Sequence, residues 1–118
     1  MMSIEQIHTI DELVKDSYET ATDKGWHDPD HPRTVGELIA LMHSELSEAL
    51  EEHRDGRAAN SIYYDPKGKP CGVPIELADC IIRIADFCGE RDIDLGIALN
   101  VKAAYNRTRP HRHGGKVI

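Results

Sequence analysis

Long apolar runs are absent from this chain: no stretch approaches the roughly 18 to 20 residues that a membrane-spanning helix needs. The N-terminal MMSIEQIHTIDE also lacks a basic region followed by an apolar stretch, so neither anchoring nor secretion is indicated and the expected compartment is the cytosol. Cysteine is scarce: Cys71, Cys80 and Cys88 are odd in number and contain no Cys-x-x-Cys pair. That argues against a disulfide framework and a thiolate zinc site, and makes them reduced thiols that fill core space. Positive charge is also short. Fourteen basic residues against 21 acidic give a formal charge of −7, the wrong sign for gripping a nucleic-acid polymer over the whole surface. A local basic patch remains, because Arg107, Arg109, Arg112 and Lys116 crowd the C-terminal end with His111 and His113. An acidic body with a basic end suits a small anionic ligand held partly by metal ions.

What is present is one domain's worth of globular chain, residues 1–118, with 40% hydrophobic and 30% charged residues, well away from the composition of disorder. Ile4, Ile7, Ile10, Val14, Tyr18 and Ala21 form one stripe over residues 4–24, and Gly25 ends it, which predicts a first helix. WHDPDHPR, residues 26–33, holds two prolines in eight positions and predicts a loop. Thr34-x-x-Glu37 is a capping box opening a second helix, with stripe Val35, Ile39, Met42, Leu46 and Ala49 and a stop near Gly56. Residues 57–73, with DPKGKP, predict a long loop or irregular hairpin. Pro74 opens a third helix that meets no breaker until Gly89, and Asp94 caps a fourth over 95–109, ended by Pro110. The tail, 110–118, is expected to be ordered only if it docks. No strand pattern competes, so the expected class is all-α, a four-helix bundle.

Two helices carry carboxylates in positions that solvation does not explain. On helix three, Glu76, Asp79, Arg83 and Asp86 fall within about a quarter of the circumference, at about 100° per residue, and the rest of that helix is apolar or small. A helix apolar over most of its surface is surrounded by protein, so its charged strip faces a cleft or a compensating charge. One reading is a structural strip in which Arg83 neutralises Asp79 and Asp86 at one-turn spacing. On helix two, Glu45, Glu48 and Glu52 share a face that borders the apolar stripe rather than opposing it. Antiparallel packing of the two helices brings carboxylate pairs together, and such groups repel unless cations lie between them. All-oxygen ligation selects hard ions, Mg²⁺ or its substitute Mn²⁺. A di-iron bundle would need Glu-x-x-His on two helices, and only Glu5-x-x-His8 fits.

Glu45-x-x-Glu48, then 27 residues, then Glu76-x-x-Asp79 resembles the signature of the MazG-like nucleoside triphosphate pyrophosphohydrolases, the all-α NTP pyrophosphatase superfamily. Lys102-x-x-x-Asn106-x-x-Arg109-Pro110 is similar to the phosphate-contacting C-terminal helix of that family, so the resemblance spans about residues 34–116. Some members double the glutamate that opens the first motif, whereas Ser44 precedes Glu45 here. The resemblance implies Mg²⁺-dependent cleavage of a (deoxy)nucleoside triphosphate between the α- and β-phosphates, giving a monophosphate and pyrophosphate. It implies Glu45, Glu48, Glu76 and Asp79 as metal ligands, Glu48 as the carboxylate that orients or deprotonates water, and Lys102, Asn106 and Arg109 as phosphate contacts, with Lys102 also catalytic. Lys102, Asn106 and Arg109 share one helical face, which fits a grip on phosphates that metals leave uncovered.

Trp26, the only tryptophan, has two readings: a stacking platform for the base or packing against helix ends. His43 and His53 are expected on the packed side of helix two. Helix three is too apolar for four helices of this length to enclose, so a homodimer or homotetramer is expected. The rival functional reading is a non-catalytic helical module that binds nucleotides or protein partners, its carboxylates forming ion pairs.

Overall fold

The computed structural model describes residues 2–118. Its elements are α1 (Ile10–Asp23), α2 (Val35–Arg54), β1 (Tyr63–Tyr64), β2 (Pro70–Cys71), α3 (Val73–Glu90), α4 (Leu95–Thr108) and a single turn, α5 (Arg112–Gly115). The all-α class is what is observed. Among the described residues no helix is long and apolar enough to cross a membrane.

Helices α1, α2 and α4 each start where a side chain satisfies a free backbone donor of the first turn. Thr34 accepts from the Glu37 N–H at 3.1 Å to open α2, and Asp94 accepts from the Ile97 N–H at 2.9 Å to open α4. α1 begins later than its apolar stripe suggested. Thr9 accepts from the Glu12 N–H, while the Glu12 carboxylate accepts from the His8 N–H, each at 3.0 Å. This reciprocal cap ends the helix at Ile10 and leaves Ile4 and Ile7 exposed on a non-helical arm. Glu5 and His8 are on that arm as well, off any helix.

The segment after α2 is a short antiparallel hairpin, Tyr63 opposite Cys71 and Tyr64 opposite Pro70. No alternating pattern announces these two-residue strands because their turn specifies them. One oxygen of Asp65 accepts from the N–H groups of Lys67 and Lys69 at 2.8 and 2.9 Å. Gly72, which caps α3, is obligatory: its φ is 121°, and a Cβ there would stand 2.2 Å from the Ser61 carbonyl oxygen. Gly89 does not stop α3. A Cβ on it would lie 2.7 Å from the Tyr18 Cβ, so this glycine lets α1 and α3 approach closely, and the helix runs on to Glu90.

α3 lies between α1 and α2, and α4 leans against α1. The buried apolar residues are small: Ala49, Cys80, Ala85 and Cys88, with no large side chain fully buried. Cys80 and Cys88 thus occupy the core as free thiols. Ile81 of α3 is 51% exposed and Val101 of α4 is 65% exposed. The accessible surface is 9297 Å², whereas a folded monomer of this mass exposes roughly 6,400 Å². The radius of gyration is 16.8 Å against about 13 to 14 Å for a closed domain of this length. Exposed apolar residues of the N-terminal arm, the tail, α3 and α4 contribute to the excess.

Candidate metal centre and its cavity

Packing α2 against α3 brings Glu45 alongside Glu76 and Asp79, and one oxygen from each lies within 4.8 Å of the others. Among the described residues this is the group of His, Cys, Asp and Glu side chains arranged to hold a metal ion. Glu76 and Asp79 are one turn apart on α3, so they present together, and Glu45 faces them from α2. Glu48, one turn further along α2, is exposed and stands outside this trio, though its charge acts on Glu76.

The electrostatics are those of crowded anions. Burial pushes the Glu76 carboxyl above its ordinary value, and the charges of Asp79, Glu45 and Glu48 push it further. Burial also raises Asp79, and Glu45 adds to this, while Arg83 and Lys69 pull it back. Such a trio holds its charge in full only with a cation between its members. The donor set, three carboxylate oxygens within 4.8 Å of one another, suits a hard ion.

Arg83 does not serve as an intrahelical bridge to Asp86. Its Nε donates to Glu45 Oε1 at 2.7 Å, across to α2. Asp86 is occupied by His27, whose Nε2 lies 2.6 Å from Asp86 Oδ1 and whose Nδ1 lies 2.9 Å from Glu90 Oε2. That imidazole, with the Tyr18 ring 5.0 Å away, fastens the loop between α1 and α2 onto α3. The loop is fixed a second time by Arg91, which donates to the Arg33 carbonyl at 3.0 Å.

Under this loop lies a cavity of about 860 Å³, and Glu45, Asp79 and Arg83 form part of its wall. Trp26, Arg33, Leu38, Leu41 and Ile82 line it as well. Trp26 is 59% exposed, so it is not packed away against helix ends, and the Arg33 guanidinium sits 4.8 Å from its ring centre. Metal-capable carboxylates and an accessible aromatic face therefore border one space.

Comparison with known proteins brings no relative to set beside this geometry. No family model, no curated protein and no solved structure matches the chain.

Other residues singled out from the sequence go elsewhere. Lys102 and Asn106 share a face of α4, whereas Arg109 lies past its end as an extended C-cap, and none of the three lines the cavity. Lys102 Nζ and the Arg109 guanidinium lie over the Tyr105 ring, 5.0 and 5.6 Å from its centre. Glu52 is neither a ligand nor a free helix-end charge, because both its oxygens accept from the Tyr63 hydroxyl at 2.8 and 2.9 Å, tying the hairpin to α2. His43 and His53 are exposed rather than packed, on the same side of α2 as exposed Leu46 and Leu50. The Arg83–Glu45 pair, the His27 clamp and the approach of Lys69 to Asp79 join residues far apart in the chain, and no local spacing announces them.

Proposed function

We propose that this protein is a Mg²⁺-dependent nucleoside triphosphate pyrophosphohydrolase, cutting between the α- and β-phosphates, for nucleotide pool control or housecleaning. The observation that carries the reading is the meeting of Glu45 with Glu76 and Asp79, of which Glu45 and Asp79 border a cavity large enough for a nucleoside. The resemblance of their spacing to the MazG-like motif supports it.

In this reading Glu45, Glu76 and Asp79, with Glu48 at the margin, hold Mg²⁺ or Mn²⁺, which neutralises the phosphates and promotes ionisation of water. Glu48 orients the attacking water. The water oxygen bonds to the α-phosphorus, the bond from that phosphorus to the α–β bridging oxygen breaks, and pyrophosphate departs. Trp26 stacks on the base, with Arg33 behind it. Lys102, Asn106 and Arg109 grip phosphate oxygens, and since none of them lines the cavity of its own protomer, the reading assigns them to the site of a second copy. That copy also covers the exposed faces of α3 and α4 and completes a four-helix MazG-like bundle, as a homodimer or homotetramer. The excess of accessible surface supports such an assembly.

The Arg83–Glu45 pair favours the second reading, a non-catalytic binding module with carboxylates held as ion pairs. Reaction with a dNTP panel in H₂¹⁸O, with Mg²⁺ and then with EDTA, separates the two. The pyrophosphohydrolase places the label in the nucleoside monophosphate, leaves pyrophosphate unlabelled and stops with EDTA. No release with any nucleotide leaves the binding module, and stepwise orthophosphate release means attack at the γ-phosphorus and refutes the proposed cleavage.

A further inference from the structure

Arg83 presents a conflict that the proposed reaction must resolve. Its Nε holds Glu45 Oε1 at 2.7 Å, and Glu45 is one of three carboxylates whose oxygens lie within 4.8 Å of each other. A guanidinium carries its charge throughout the working pH range and has no lone pair to offer a metal. A divalent cation among Glu45, Glu76 and Asp79 therefore competes with Arg83 for the Glu45 carboxylate and repels the guanidinium. The stronger charge takes the carboxylate.

Where the displaced guanidinium goes follows from its surroundings. Arg83 is four residues after Asp79 and seven after Glu76, so its stem rises from the same face of α3. Its side chain is 39% exposed, against 13% for Glu45, and it lines the cavity. Asp86, the acid one turn beyond, is already held by His27. Released from Glu45, Arg83 opens into the cavity it lines, the space a metal-bound triphosphate would enter. Its fork of N–H donors matches phosphate oxygens in a two-point contact.

We propose that Arg83 occupies the place of the metal in the free protein and, once metal arrives, turns to bind the substrate's phosphates. The inference rests on the pyrophosphohydrolase reading and assigns a substrate-binding residue outside its motif. It makes the free site a cluster of repelling acids that one ion pair, Arg83 with Glu45, neutralises in part. Metal and nucleotide then bind cooperatively, because each favours the orientation of Arg83 that suits the other.

The test uses Arg83→Met, which keeps most of the stem and loses the charge, with Arg83→Lys beside it. Mn²⁺ binding to the nucleotide-free protein is measured by calorimetry, and KM for a cleaved dNTP at saturating Mg²⁺. Arg83→Met should bind Mn²⁺ roughly three- to tenfold more tightly, having lost the competing cation. The same variant should raise KM roughly 10- to 100-fold, having lost a charge-assisted contact. Arg83→Lys, which keeps the charge without the fork, should leave Mn²⁺ affinity near wild type and recover part of the KM loss. Weaker Mn²⁺ binding in Arg83→Met would make the pair a scaffold that positions Glu45 and overturn the proposal. An unchanged KM would overturn the phosphate contact. Both outcomes presuppose an active wild type; a wild type that neither binds Mn²⁺ nor cleaves any nucleotide overturns the pyrophosphohydrolase reading instead.

Discussion

The α2–α3 seam and the α4 end of this molecule carry charge under opposite conditions. At the seam, acids from two helices are pressed together, partly buried, and answered by Arg83 across the interface. On α4 and its C-cap, Lys102, Asn106 and Arg109 lie apart from that seam, and the two cations sit over a tyrosine ring. Crowded carboxylates in a seam are costly for folding and so call for a partner that neutralises them. Solvated cations on a free helix cost little and need none. The seam therefore gathers its charged groups within one protomer, whereas the α4 cations stand apart from that protomer's cavity.

Substitutions at the seam should have the largest effect. Glu76→Gln and Asp79→Asn are each expected to lower hydrolysis by at least about a thousandfold by removing a metal ligand. Without metal, each should raise the melting temperature by roughly 2 to 6 °C, because one repelling charge is gone. If these variants melt lower without metal, and wild type is indifferent to Mg²⁺ in the same scan, the seam is an ion-pair network and the contrast with α4 disappears.

On α4, Lys102→Ala is expected to cost about 2 to 4 kcal/mol of transition-state stabilisation, roughly 30- to 1000-fold in rate, with Mn²⁺ affinity of the free protein unchanged. Co-assembly of Lys102→Ala with Glu76→Gln sharpens the point. If α4 serves the cavity of a second copy, mixed dimers regain one intact site, and random mixing restores roughly a quarter of wild-type activity. Recovery no greater than the sum of the parents would place α4 on its own protomer's site or on none.

Trp26→Ala tests the far wall of the cavity. Loss of base stacking is worth about 1 to 3 kcal/mol, read as a higher KM for dNTPs with little change for inorganic tripolyphosphate. An equal change for both would mean that the indole serves the loop rather than the base.

The smallest effect is the pH response. Glu76 and Asp79 have ordinary values of 4.5 and 3.8 and are raised in the folded protein, first by burial. The folded state then binds protons more tightly than the unfolded chain, so their charged forms weaken the fold above the raised values. That cost is relieved as pH falls through them toward 4.5 and 3.8. Without metal, the melting temperature should rise by a few degrees on acidification from neutrality toward that range, and the extra stability from Mg²⁺ should shrink as protons displace it. A thermal-shift series with and without Mg²⁺ checks both signs. Glu76→Gln should flatten the metal-free slope.

Local chemistry was legible in the chain. Caps at Thr34 and Asp94, the strip on α3 and the carboxylate pair on α2 depend on neighbours one turn away, and those are adjacent in sequence. Tertiary packing decided what repeats do not encode: which carboxylates meet, that Arg83 crosses to Glu45, that Tyr63 takes Glu52, and that Gly89 continues a helix because Tyr18 presses against it. The late start of α1 shows the boundary between the two, since its stripe extends to Ile4 but the cap at Thr9 ends the helix before the arm finds anything to bury. Periodicity records which face of a helix is apolar, whereas partner choice depends on distances between segments that the order of residues does not contain.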